Sequence, residues 1–294
     1  MNLSIRQPRF ADDRWYSSDP ARLQMDIQGY LAAASLEPGS GQLMGLVAPH
    51  AGYFFSGPVA GAAFAHLSLA IFETVILIGP DHWGAAPRKI STPRVDVWRT
   101  PLGDIPIAWD ILQILQNEIE LKLLPTDEEH ALEVELPFLQ MTLKTFRLVP
   151  LMMGDQSPQI CRRLSAALVK TIRALQNNQG KLSSSQEGSI GNILFVASSD
   201  LSHYFDDDTA RRLDQTTLQF ILDLDADGLV HHVEAGRRQG QPFACGAGPI
   251  ATIIHTAKAL GATQARLIKY ATSADAYPSK DRVVGYAAVA ISKA

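Results

Sequence analysis

The chain has 294 residues, 46% hydrophobic and 19% charged, the composition of an ordinary globular protein, which excludes a disordered one. A formal net charge of −4, with no basic block beyond the pairs Arg162-Arg163, Arg211-Arg212 and Arg237-Arg238, argues against a nucleic-acid binder or an anionic-membrane binder. No run approaches the roughly 20 apolar residues that a membrane span needs. The polar stretch from Met1 to Pro20 does not read as a signal peptide, and two cysteines, Cys161 and Cys245, exclude a disulfide framework, so the cytoplasm is the expected compartment.

Asp19-Pro20 opens a helix to about Ala34, with Asp as N-cap and Pro at the first helical position. Leu43–Val47 reads as a buried strand, a helix begins near Pro58, and Thr74–Ile78 reads as the next strand. A third helix is expected from Thr126 to about Thr145, with Asp127-Glu128-Glu129 in its first turn, where the helix dipole favours negative charge. Phe146–Leu151 is the next strand, and Ser157-Pro158 opens a helix to about Gln176. Gln176 to Asn192 is polar and rich in Gly and Ser. Since parts of one site lie on both sides, it reads as a flexible surface loop near 177–191 rather than a linker, and residues 1–294 as one domain.

Asn192–Ala197 follows as a strand, a fifth helix starts at Asp206-Asp207-Asp208, and the last helix opens near Gly248-Pro249 and carries Ile250 to Leu260. Arg266–Ala271 and Val283–Ile291 are strands whose short connector implies antiparallel pairing. This alternation predicts an α/β fold of three layers, a sandwich with a mostly parallel central sheet covered on both faces.

Position sorts the eight histidines. His66, His231, His232 and His255 fall within predicted helices with no partner at metal spacing, which reads as structural or surface. His50, His82 and His203 each follow a predicted strand instead. Parallel strands point their carboxyl ends to one edge, so the three converge in space, and neutral imidazole is a common metal ligand. Cys245 precedes a helix start, which favours the thiolate that binds metals or attacks electrophiles; Cys161 has nothing gathered around it and reads as structural.

Asp200 reads equally as a carboxylate that orients a histidine, as a ligand, or as an ordinary turn residue. Asp81, next to His82, has the same ambiguity. His130 either lines the pocket or does not; Glu133 and Glu135 are not expected both to face the core. Tyr53, Ser56 and Gly57 lie in a turn entering a helix that could hold an anion. No Walker loop, no G-x-G-x-x-G after a strand and no G-x-S-x-G elbow is present, so nucleotide-binding and standard serine-hydrolase readings lose support.

Ala48-Pro49-His50-Ala51-Gly52-Tyr53-Phe54-Phe55-Ser56-Gly57, Ile78-Gly79-Pro80-Asp81-His82 and the run from Glu129 to Leu139 resemble the signature of the Memo family. So do Ser199-Asp200-Leu201-Ser202-His203, Cys245-Gly246-Ala247-Gly248-Pro249-Ile250, Arg14-Trp15-Tyr16, Tyr270-Ala271-Thr272-Ser273 and Val283-Val284-Gly285-Tyr286-Ala287-Ala288, in order over nearly the whole chain. Members in bacteria and archaea carry the label AmmeMemoRadiSam system protein B, which implies a functional link to AMMECR-type and radical SAM proteins. The fold resembles class III extradiol dioxygenases, which hold non-haem Fe(II) with two histidines and a carboxylate. That resemblance implies His50, His82 and Cys245 as metal ligands, with Cys245 in place of the carboxylate. It implies His203 as the catalytic acid or base, with Asp200 beside it; Tyr53, Asp81 and His130 are expected from their own positions to line the pocket. A thiolate shifts metal preference toward softer ions, so Fe(II) is expected with Cu or Zn as alternatives, and ring cleavage does not carry over. Asp81, where relatives are expected to have Ser or Asn, and Ala274, where Gly is usual, also depart from the pattern.

The leading expectation is an Fe(II)-dependent redox enzyme acting on an unknown small molecule. The second is a binding or scaffold module whose pocket recognises a peptide or small anion. The third is zinc-type hydrolysis, for which only Asp200 offers itself as a base.

Overall fold

Among the described residues nine strands are hydrogen-bonded into one sheet, and three more form a second. The computed structural model describes residues 3–35, 41–67, 72–179 and 193–294; most of the loop expected at 177–191 lies outside these, while 177–179 end a helix. In chain order the elements are β1 (Ile5–Arg6), α1 (Pro20–Ala32), β2 (Gln42–Ala48), α2 (Tyr53–Ala65), β3 (Thr74–Pro80), β4 (Ile90–Pro93), β5 (Val97–Thr100), β6 (Gly103–Pro106), α3 (Trp109–Gln116) and β7 (Leu121–Leu124). There follow α4 (Leu136–Leu143), β8 (Arg147–Met153), α5 (Pro158–Gln179), β9 (Ile193–Ser198), β10 (His203–Phe205), α6 (Asp207–Leu222), α7 (Ala226–Arg238), α8 (Ala247–Ala259), β11 (Gln264–Thr272) and β12 (Val283–Lys293).

The large sheet runs β10-β12-β2-β9-β3-β8-β4-β7, with β11 along β12. Its centre, β2-β9-β3-β8, is parallel, and these strands are buried nearly end to end, as parallel strands covered on both faces must be. The flanks are not parallel. β12 runs antiparallel to β2, β10 and β11, and β4 runs antiparallel to β8 while pairing parallel with β7. The sheet is therefore mixed, which corrects the expectation of a mostly parallel one. The connectors at 81–89 and 273–282 are too short to hold a crossover helix, so the chain turns back on itself there. The small sheet pairs β1 parallel and β6 antiparallel to β5.

Helices α1, α2 and α4 pack together against β2, β11 and β12, while α5, α7 and α8 form a second group against β2, β3 and β9. This arrangement is consistent with three layers. Among the described residues no helix is long and apolar enough to cross a membrane.

Two expected helices differ from the observed ones. α2 begins at Tyr53 and takes Pro58 inside it. The helix expected from Thr126 is absent until a 3-10 turn at Glu133–Glu135 leads into α4. Asp127 and Glu129 are drawn inward instead of complementing a helix dipole, while Glu128 stays exposed. Arg6 holds Asp127 through two hydrogen bonds of 2.9 and 2.8 Å, also bonds Glu133, and lies over the Trp98 ring at 4.0 Å. Glu133 further accepts from the amides of Arg9 and Phe10 and from the Tyr16 hydroxyl at 2.6 Å.

Candidate metal centre

β2, β3 and β9 end side by side, and the residues just beyond them carry chemistry: His50 after Ala48, His82 after Pro80, Asp200 after Ser198. Cys245 arrives from the segment before α8. Its amide donates to the Asp200 carbonyl at 3.2 Å, and the next amide, Gly246, donates to Ser199 Oγ at 2.9 Å. A Cβ on Gly246 would stand 2.5 Å from the Ser198 carbonyl oxygen, so only glycine lets this segment approach the end of β9.

His50 is buried. Its amide donates to Asp200 Oδ1 at 2.9 Å, its Nδ1 lies 2.8 Å from Ser198 Oγ, and its Nε2 lies 3.3 Å from Cys245 Sγ. Glu129 grips His82 twice, accepting from its amide at 2.6 Å and from Nδ1 at 2.9 Å. His130 stacks on His82 with centroids 4.7 Å apart and packs against Trp15 at 4.3 Å. One ligand nitrogen from each of His50, His82 and His130 falls within 4.8 Å of the others, so these three could hold a metal ion.

The donor set suits a transition metal. Both His50 and His82 have Nδ1 engaged by a neighbour, which fixes ring orientation and leaves Nε2 for a ligand bond. His130 Nδ1 is buried, with no hydrogen-bond partner among the described residues. A thiol beside imidazoles favours soft or borderline ions.

The charge states of His50 and His130 agree with ligand duty, whereas His82 and Cys245 would each have to release a proton to an incoming ion. Burial, together with nearby His82, His130 and His203, holds His50 well below the usual histidine value, in its neutral form. Burial likewise pushes His130 down to about 4 and lowers His203. Burial opposes a charge on His82 too, but Cys245 and Glu129 outweigh it and lift this group to about 10. The Cys245 thiol is raised by burial, with His82 pulling it back. Asp200 is pushed up to about 7 by burial, against the amides of His50 and Ala51.

The structure thus brings His50, His82 and Cys245 together, with His130 as a third imidazole and Asp200 behind His50. His203 opens β10, half-buried, and a proton on it would disfavour one on His50. Tyr53 lies in the core, its hydroxyl donating to the Val134 carbonyl at 2.7 Å. The Asp81 carboxylate accepts from the amides of Ala85 and Ala86 and so shapes the loop that carries His82. Cys161 is buried in the first turn of α5, and burial raises its thiol to about 12, an inert state.

Glu133 and Glu135 are both fully buried, which corrects the expectation that they could not be. A 3-10 turn replaces the helix there, and each acid finds its own partner: Arg6 for Glu133, Ser198 for Glu135. Sequence reasoning missed Glu129 and Ser198 as supports of the site. Glu129 stands in an acidic run that reads equally well as a helix start, and Ser198 reads as the end of a strand.

A family model described as Memo-like protein matches residues 6–290. A MEMO1 family protein of Methanopyrus kandleri is 34% identical over 97% of this chain and 98% of its own length. One from Methanosarcina barkeri is 33% identical over 98% of this chain and 100% of its own, and one from Ignicoccus hospitalis is 36% identical over 84% and 81%. With the site's residues spread from β2 to the segment before α8 and the family match spanning nearly all of that length, the chain belongs to the Memo family.

Proposed function

We propose that this chain is a cytoplasmic, single-domain metalloprotein with a class III extradiol dioxygenase-like fold, acting as an Fe(II)-dependent redox enzyme on a small molecule. The observation that carries the reading is the shared direction of two imidazoles. Ser198 and Glu129 occupy Nδ1 of His50 and His82, a ligand nitrogen of each ring lies within 4.8 Å of the other, and His50 Nε2 lies 3.3 Å from Cys245 Sγ. His50, His82 and Cys245 would hold the ion, with His130 completing the histidine cluster. Bound Fe(II) would supply one-electron chemistry and a place for O2. Neutral, half-buried His203 is suited to moving protons, and Asp200 positions the His50 loop through its amides. Zinc-type hydrolysis ranks lower because Asp200, its only candidate base, is already engaged by those amides. A functional link to AMMECR-type and radical SAM proteins follows from the family resemblance.

A second reading is a module that binds a peptide or small anion. It is favoured by exposed aromatic side chains placed beside the site histidines in sequence: Phe54 after His50, Trp83 after His82 and Tyr204 after His203.

Metal content, measured after purification without oxygen, separates the two readings. The expected result is near-stoichiometric iron in the wild type, lost in His50→Ala and Cys245→Ala and retained in His203→Ala. Absence of metal from the wild type, with peptide binding unchanged in folded His50→Ala, would overturn the enzyme reading.

A further inference from the structure

Ser198 has one hydroxyl proton and three neighbours within hydrogen-bond distance. They are the Ala131 carbonyl oxygen at 2.7 Å, Glu135 Oε1 at 2.7 Å and His50 Nδ1 at 2.8 Å. Ser198 and Glu135 are fully buried and His50 nearly so. A carbonyl oxygen only accepts, so the hydroxyl proton goes to Ala131. The two remaining contacts are then satisfied only if both neighbours donate to the serine lone pairs. That requires a proton on His50 Nδ1 and a proton on Glu135 Oε1.

The alternative fails on counting. An ionised Glu135 sets two acceptors at 2.7 Å against a single proton. It also leaves Oε2, which has no hydrogen-bond partner among the described residues, carrying half a buried charge. Burial and nearby Asp200 raise the Glu135 carboxyl well above its usual range, in the same direction.

We propose that Glu135 is a positioning residue: it sits in the fold as a neutral acid, its proton completes the hydrogen bonds of Ser198, and His50 is thereby fixed as the Nδ1–H tautomer with the Nε2 lone pair turned toward Cys245. The effect on metal affinity rests on the reading of His50 as a ligand; the protonation and the tautomer do not.

Two measurements on the metal-free wild type test the core of this. Infrared difference spectra against Glu135→Gln should show one protonated-carboxyl C=O band, shifted in D2O and missing from the variant. Nitrogen-15 NMR should report His50 with its proton on Nδ1. Glu135→Leu and Ser198→Ala, checked for folding by circular dichroism, should lose the pure tautomer and bind Zn2+ about 10–100-fold more weakly. Glu135→Gln, whose amide can also donate to Ser198, should keep both properties. An ionised-carboxylate band for Glu135, a proton on Nε2 in the wild type, or an unchanged tautomer in Glu135→Leu would overturn the proposal. If His50→Ala binds Zn2+ as tightly as the wild type, the ligand reading of His50 falls, and the infrared and NMR results still decide the role of Glu135.

Discussion

Replacing Arg6 with Met removes the cation from a buried cluster and leaves its carboxylates in place. The guanidinium makes two bonds to Asp127, one to Glu133 and one to the Glu129 carbonyl at 3.1 Å, and both acids are almost wholly buried. Met keeps an apolar stem against Trp98, so lost packing is a minor part of the change. Breaking a buried pair from one side costs about 3–5 kcal/mol, because the remaining charge is uncompensated. That is a large fraction of the roughly 5–15 kcal/mol that holds an ordinary domain folded. With a urea slope of about 3 kcal/mol per molar, the unfolding midpoint should fall by roughly 1–2 M. The check is equilibrium urea unfolding of the wild type, Arg6→Met, and Arg6→Met combined with Asp127→Asn and Glu133→Gln. The triple variant should regain more than half of the loss, since its buried groups are neutral. A loss below about 1 kcal/mol in Arg6→Met, the level of an exposed ion pair, or a triple variant no more stable than the single one, would refute the account.

Two further predictions concern the clasp around Asp214, which accepts from the Ser202 amide at 2.8 Å and the Tyr270 hydroxyl at 2.7 Å. Burial raises the folded pKa of Asp214 above its unfolded value, so its contribution to stability is present below the unfolded carboxylate range and is lost as pH rises through the folded value. Asp214→Asn should therefore gain stability relative to the wild type as pH rises from about 4 to 7, and a gain that shrinks over that window would disprove the sign. Gly285→Ala would place a methyl 1.8 Å from Asp214 Oδ2, a side chain tethered at both oxygens. It should cost about 1–3 kcal/mol in thermal or urea unfolding, and a change within about 0.5 kcal/mol, typical of a neutral surface site, would show that the clasp yields.

What could be read in the sequence was local or periodic. Asp19 caps α1 through the amides of Ala21 and Arg22, as Asp-Pro signals. The central strands stand out as apolar runs, and their common direction is what gathers His50, His82 and Asp200. β4 to β7 and α3 were illegible because they are four to eight residues long and draw their burial from neighbours rather than from their own pattern. Ser91 and Thr92 in β4 are fully buried although neither is apolar. The acidic run at 127–129 was misread for a different reason. Its partner Arg6 lies about 120 residues away, and a helix dipole offers the same charges a local explanation.

The segment from Asp127 to Glu135 ties these threads together, because it places four acids inside the protein and accommodates them in three ways. Asp127 and Glu133 share Arg6; Glu129 holds His82, whose raised pKa supplies the opposing charge. Glu135 is joined by no cation among the described residues, and it is the acid whose pKa rises well above normal. The same segment carries His130 and supports His82 through Glu129 and His50 through Ser198. Its path is therefore set by charge matching with the N-terminal strand, not by helix propensity. It follows that Arg6, although its hydrogen bonds go to Asp127, Glu133 and the Glu129 carbonyl and to none of the three histidines, helps to hold the loop on which their spacing depends. A histidine cluster built this way is positioned by the far end of the chain, which is why its members can be picked out singly in the sequence while their support cannot.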